Sequence, residues 1–283
     1  MSSQSHLNQT NDLSTPIVLT IAGSDSGGGA GIQADIKAIS AIGSFACSAI
    51  TAITSQNTLG VSAIFPIPID HIESQLDAVF TDIKIISVKI GMLAEVDIIK
   101  IVAAKIRQYQ PKYIVLDPVM VTTSGDLLLK ENAINTLKEE LFPLVDIITP
   151  NLPEAAALTG LAIPCDETGM QNMVTALRTL GAKAVLLKGG HLRDQAESAD
   201  LLITDKNVER FSSPRTNTKN THGTGCTLSS AIASYLAQEN SLHDAVFKGK
   251  SYISQAISQA DRLNIGEGHG PVNHFFALNG HHE

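Results

Sequence analysis

Tryptophan is absent from this chain, and Phe and Tyr bring the aromatic share to only 4% of 283 residues. Cysteine is nearly absent as well: Cys47, Cys165 and Cys226 stand alone, with no Cys-x-x-Cys pair. So odd and sparse a set fits a reducing compartment better than a disulfide framework, and a cytoplasmic location is expected. There is no basic run, and Asp+Glu outnumber Lys+Arg by 28 to 20, for a net charge of −8. That balance argues against nucleic acid and anionic membrane as main partners. No apolar run reaches the roughly 18 residues of a membrane span. The Gly-x-Ser-x-Gly elbow, the His-Glu-x-x-His helix and the paired-cysteine zinc pattern are all missing.

What remains is an ordinary globular composition, 43% hydrophobic and 17% charged. The length suits one large α/β domain with a sizeable core. Residues 1–15 are polar, rich in Ser, Asn and Gln, and lack the apolar centre of a signal peptide. They read as a flexible tail ahead of a single domain over 16–283.

Residues 17–22 form a short β-branched apolar run, expected as a buried strand. A glycine loop follows at 23–31, and Ile32, Ile36, Ile39 and Ile42 then recur at helical spacing. This strand–loop–helix is a nucleotide-fold opening, but neither a dinucleotide fingerprint nor a P-loop, since no Gly-Lys-Ser/Thr follows. Further strands are expected at 47–53, 85–90, 113–116, 145–148 and 184–187. Helical spacing falls between them, at Ile72–Phe80, Val96–Ile106 and Ile134–Leu141. The alternation predicts a three-layer α/β/α fold with a mainly parallel sheet. A small hairpin is expected over 201–211 and a final long helix over 242–263. The polar residues gather where strands end, the edge at which open α/β sheets bind ligands. They are Ser55–Thr58, Gly91-Met92, Asp117-Pro118, Thr149-Pro150-Asn151 and Lys188-Gly189-Gly190-His191.

The most informative stretch is Asn220-Thr221-His222-Gly223-Thr224-Gly225-Cys226, leading into a helix of small and apolar residues. Unpaired N–H groups at such a helix start attract anions, and glycines let a phosphate approach. Cys226 stands in the same positive field, so its thiol is expected to be acidified. The bland alternative is a tight turn with a packing cysteine. Asp117 reads as a magnesium-approaching carboxylate or a turn cap. Asn151 and Glu154 share one face of a helix start, Glu154 as a metal carboxylate or a favourable first-turn charge. Lys188 offers a point charge to phosphate oxygens, unless it is a plain surface lysine. Gln56 carries an amide able to match an aminopyrimidine edge or simply to steady its loop, and Met92 a soft wall for a flat ring or plain core packing. Residues 122–126, with Gly125, are a lid candidate by composition. His281 and His282 read as part of a frayed terminus.

These blocks, together with residues 20–25, 28–35 and 268–272, closely resemble the hydroxymethylpyrimidine/phosphomethylpyrimidine kinases of thiamine biosynthesis, in the ribokinase-like superfamily. The resemblance implies phosphorylation by ATP·Mg²⁺ of 4-amino-5-hydroxymethyl-2-methylpyrimidine and then of its monophosphate. It places Gly23, Asp35, Gln56, Met92 and Val119 around the pyrimidine. Gly223, Thr224, Gly225 and Cys226 become the anion hole, with Cys226 facing the hydroxymethyl group. Asp117 and Glu154 would organise magnesium, while Asn151, Lys188 and Thr221 bind nucleotide and phosphates. In much of the superfamily an Asp stands at the position of Cys226 as catalytic base. A homodimer is expected. A pyridoxine or pyridoxal kinase, or a pyrimidine-binding module without catalysis, are the competing readings.

Overall fold

The computed structural model describes residues 15–120, 131–192 and 196–278. The tail call on 1–15, the lid candidate at 122–126 and the two terminal histidines fall wholly or almost wholly outside the described residues. The chain begins with β1 (Ile17–Ala22), α1 (Gly31–Ala41), β2 (Phe45–Ile50), β3 (Ala52–Asn57), β4 (Gly60–Pro66) and α2 (Ile69–Asp82). Next come β5 (Ser87–Ile90), α3 (Val96–Tyr109), β6 (Tyr113–Leu116), α4 (Glu131–Thr136), β7 (Ile147–Ile148), α5 (Leu152–Thr159) and α6 (Glu167–Arg178). The last elements are β8 (Ala184–Lys188), β9 (Glu197–Thr204), β10 (Val208–Pro214), α7 (Thr224–Ala237) and α8 (Leu242–Ser258).

The main sheet runs in the order β10-β9-β8-β7-β6-β5-β1-β2. It is parallel from β2 to β8, and β9 and β10 close one side antiparallel. Alternate strand residues face opposite layers, as the two-residue side-chain period requires. Leu19, Ile21, Val88, Leu116 and Leu187 pack with α2 to α6. Val18, Val115, Ile147 and Leu186 pack with α7 and α8. The three-layer α/β/α fold is therefore as expected.

Several boundaries differ from the sequence expectation. The apolar run at 47–53 is not one strand. It breaks at Thr51, and β3 leaves the sheet to pair with β4 as a separate antiparallel ribbon. Gln56 thus sits within β3, beside a register shift, rather than at the end of a sheet strand. β4 escaped notice because all seven of its residues are exposed and show no burial alternation. The expected small hairpin at 201–211 is longer and belongs to the main sheet. The last helix stops at Ser258, and a single 3₁₀ turn follows at Ala260–Arg262.

A polar cluster lies inside this apolar framework. Asp35 of α1 and Lys89 of β5 are both fully buried and pair at 2.8 Å. Thr20 of β1 donates to Asp35 Oδ2 at 2.6 Å, and Ser230 of α7 donates to Asp35 Oδ1 at 2.7 Å. One carboxylate therefore joins four elements. Burial disfavours the Lys89 charge, but the Asp35 carboxylate outweighs it and holds the amine protonated well above the ordinary lysine range. Removing one member of such a pair strands the other charge in the core. Asp35→Ala should cost about 3–5 kcal/mol of unfolding free energy, measured by urea titration. A cost below about 1 kcal/mol, as for an exposed pair, would contradict this account of the cluster.

Candidate active site

The helix that matters most, α7, starts without a side-chain cap, and its N-cap residue Gly223 is left-handed at φ 81°. A Cβ at Gly223 would stand 1.8 Å from the Gly29 carbonyl oxygen, so only glycine lets this turn lie against the glycine loop after β1. The turn is braced from the C-terminal segment: His222 N–H donates to the Gly270 carbonyl, and Gly270 N–H donates to Asn220 Oδ1. Among the described residues, the N–H groups of Gly225 and Cys226 find no backbone acceptor. They form the open end of a fourteen-residue helix, a ready anion site.

Opposite this helix start stand the strand-end residues. Lys188, closing β8, pairs with Asp117 just past β6 at 2.9 Å. Thr149 donates to the same Asp117 oxygen at 3.0 Å. Asn151 and Glu154 form a reciprocal capping box at the start of α5, each side chain accepting from the other's N–H at 2.8 Å. Glu154 is nearly fully buried. Burial pushes its carboxyl up to about 7; the Lys188 charge opposes this and the Asp117 charge adds to it. Burial also disfavours the Lys188 charge, but Asp117 and Glu154 more than restore it. A Cβ on Gly225 would lie 3.2 Å from Asp117 Oδ2 and 3.3 Å from Lys188 Nζ. The bare glycine backbone thus directly faces the acid–lysine pair.

These groups line one cavity of about 560 Å³ along the carboxyl edge of the sheet. Gly23, Gln56, Met92 and Val119 line it from the β1 side. Asp117, Asn151, Glu154, Lys188, Thr221 and Gly223 to Cys226 line its middle. Beyond them the wall continues over β9, β10 and α8, with the Asp200–Lys250 pair at 2.8 Å.

Two expectations need correction. Asp35 does not line the cavity. It is 0% exposed, and its oxygens are occupied by Lys89, Thr20 and Ser230 behind the wall. Nor is the Cys226 thiol acidified: burial pushes it up to about 11, the Lys89 ammonium opposes this, and the negative charges of Asp35 and Asp117 add to the rise. The helix start and the Gly31 N–H do not make up the difference.

Sequence reasoning missed four contributors. Lys89 reaches the cavity wall from inside an apolar strand, and a lysine in such a run was itself the signal, because it demands a buried partner. Asp25 organises the glycine loop by accepting from Gly27, Gly29 and Ala30 N–H groups. Val61 and Ile64, from the unnoticed β4, add apolar wall.

The three-layer arrangement around a mainly parallel sheet is that of the ribokinase-like small-molecule kinases. The chain is 51% identical over 259 residues to the hydroxymethylpyrimidine/phosphomethylpyrimidine kinase of Salmonella typhimurium, covering 92% of this chain and 97% of that one. Its structure is similar to a phosphomethylpyrimidine kinase from Clostridium difficile, with a TM-score of 0.75 and 45% identity over 85% of this chain and 99% of that one. It is also similar to the ADP complex of Bacillus subtilis pyridoxal kinase, with a TM-score of 0.86 and 35% identity over 93% and 98%. The chain belongs to the phosphomethylpyrimidine kinase family, whose model matches residues 25–273.

The corrected thiol has a measurable signature. With the exposed Cys165 replaced by Ser, iodoacetamide should alkylate Cys226 slowly near neutral pH. The rate should climb about tenfold per pH unit because only the thiolate reacts, and it should keep climbing toward pH about 11. A rate already level by about pH 8 would mean an acidified thiol instead.

Proposed function

We propose that this chain is an ATP-dependent kinase that phosphorylates the hydroxymethyl group of 4-amino-5-hydroxymethyl-2-methylpyrimidine, and then the resulting monophosphate, for thiamine diphosphate synthesis. The observation that carries the reading is the bare Gly225 backbone facing Asp117 and Lys188 in one cavity with the ring-sized Gln56–Met92–Val119 end. ATP lies toward β9, β10 and α8, where Leu228, Ile253 and Ile257 offer apolar wall. The pyrimidine lies at the opposite end, with its hydroxymethyl toward Cys226.

The hydroxymethyl oxygen bonds to the γ-phosphorus as the bond to the bridging oxygen of ADP breaks. Gly225 and Cys226 N–H groups and Lys188 meet the charge on the transferring group. Asn151 and Thr221 help orient the phosphates. A half-buried thiol pushed up to about 11 is not a resting base. Cys226 accordingly bounds the hydroxymethyl position, and the proton passes late, once the new P–O bond has formed, to an oxygen of the transferred phosphoryl group.

The donor chemistry fits Mg²⁺. Asp117 and Glu154 supply hard carboxylate oxygens, and among the described residues no group of three His, Cys, Asp or Glu is placed to hold a metal by itself. Such a sparse set leaves positions for phosphate oxygens and water, as Mg²⁺ prefers. When bound, the ion would neutralise phosphate charge.

The pyridoxal kinase likeness supports a second ring substrate of the same cavity, pyridoxal. We also place the enzyme in the cytoplasm, as its three free cysteines favour. A homodimer fits the β3–β4 ribbon, whose Ile53, Val61, Ile64 and Phe65 are exposed. Among the described residues, no helix is long and apolar enough to cross a membrane.

Turnover with ATP, Mg²⁺ and each ring in turn tests the reading. Phosphorylation of the pyrimidine is expected, with pyridoxal slower, and no transfer to the pyrimidine would overturn it. Glu154 gains negative charge as pH rises through about 7. The magnesium needed for half-maximal rate should therefore fall between about pH 6 and 8 in the parent but stay level in Glu154→Gln.

A further inference from the structure

The Gln56 side chain is held at both ends. As drawn, its Oε1 lies 3.2 Å from Thr54 Oγ1 and its Nε2 lies 3.4 Å from His222 Nε2. Its backbone is also fixed, since Ser26 Oγ donates to the Gln56 carbonyl at 2.6 Å and accepts from Gln56 N–H at 2.8 Å. The oxygen and nitrogen ends of an amide have nearly the same shape, so neighbouring donors and acceptors decide which is which.

Both neighbours call for the amide turned over from that placement. Thr54 has one hydroxyl hydrogen, and its shorter contact is the Ser24 carbonyl at 2.8 Å, which can only accept. With that hydrogen committed, Thr54 Oγ1 is an acceptor toward Gln56 and requires the NH₂ end. His222 Nε2 lies 2.8 Å from Asp25 Oδ2. Burial raises the Asp25 carboxyl, but the bond from His222 and the N–H groups of Ala30 and Gly27 outweigh it and hold it below the usual carboxylate range. An ionised carboxylate only accepts, so His222 Nε2 carries a hydrogen whether the ring is neutral or charged. A protonated Nε2 cannot accept from an NH₂ group, so the end facing it is the carbonyl.

We infer that the Asp25–His222 and Ser24–Thr54 pairs lock the Gln56 amide with its carbonyl toward His222 and its NH₂ toward Thr54, and that this lock selects the ring. This inference rests on the proposed function. The locked amide keeps its carbonyl lone pairs on the His222 side, because the one Nε2 hydrogen goes to Asp25, and one N–H on the Thr54 side. A six-membered ring with an exocyclic amino donor next to a ring-nitrogen acceptor fits in a single register, amino group nearest His222. A 4-oxo ring reverses this order, with a carbonyl beside a ring N–H. It would need the amide turned over, which both pairs oppose. Asp25, His222 and Thr54 are thus positioning residues for ring choice.

Two measurements test this. In the ligand-free protein, ¹⁵N spectra of labelled histidine should show His222 protonated at Nε2, the signal being assigned by its loss in His222→Phe or, if that variant is unstable, His222→Asn. A neutral ring protonated at Nδ1 would overturn the lock. Calorimetry without ATP then compares the 4-amino ring with its 4-oxo counterpart. The parent should prefer the amino ring by about tenfold or more, the scale of leaving a buried polar group unpaired. In Thr54→Val that preference should narrow, with the oxo ring binding as well as before or better. Equal weakening of both rings in Thr54→Val, or equal binding of both by the parent, would overturn the inference. A parent that binds neither ring would overturn the functional reading instead, and the His222 tautomer would still decide whether the amide is locked.

Discussion

A single carboxylate, that of Asp35, fixes where the chemistry can happen. It is shared by Thr20 on β1, Lys89 on β5 and Ser230 on α7, all in the interior. Helix packing alone sets an axis and a distance but tolerates sliding. A fully buried ion pair with two hydroxyl donors does not tolerate it, because any shift leaves charge unpaired in a medium of low polarity. Ser230 lies in the second turn of α7. Fixing it also fixes the helix start, less than two turns away.

From that anchor the site follows by contact. The left-handed Gly223 turn presses on the Gly29 carbonyl, and the His222–Asp25 bond ties the same turn to the glycine loop. The open N–H groups at the start of α7 then face Asp117 and Lys188. Charge in the cavity is nearly balanced before any ligand arrives. Lys188 answers Asp117, Lys89 answers Asp35, and Glu154 is left near 7, able to ionise when a cation or the lysine demands it. Such a site can take up a highly charged nucleotide without carrying a large unpaired charge at rest.

Much of this was legible in the chain. Strand and helix alternation placed Met92, Asp117, Asn151 and Lys188 at one edge, because each ends its strand or follows it within three residues. The glycine-led start of α7 was equally plain, since Gly223 and Gly225 break a run that is otherwise helical. Three features were hidden for physical reasons. β4 is exposed along its whole length, so no hydrophobic pattern marks it. Asp35 looks like any polar residue on an amphipathic helix, and only the fold shows Lys89 and Ser230 converging on it. The helix-start field at Cys226 is visible in sequence, but the protein packed around the thiol is not, and burial is the larger effect.

A hydrophobic pair of similar volume often replaces a buried ion pair without loss of stability. That separates the two roles of the Asp35–Lys89 pair, holding the fold and shaping the cavity wall. The Asp35→Leu/Lys89→Met double variant removes both charges together and leaves neither stranded. Its single-turnover rate with saturating ATP, Mg²⁺ and pyrimidine is the most direct measurement. The account predicts a cooperatively folded protein with a thermal midpoint near the parent's and a rate at least about tenfold lower, because the carboxylate that fixes the α7 start against the glycine loop and the strand ends is gone. A folded double variant turning over at the parent rate would contradict it.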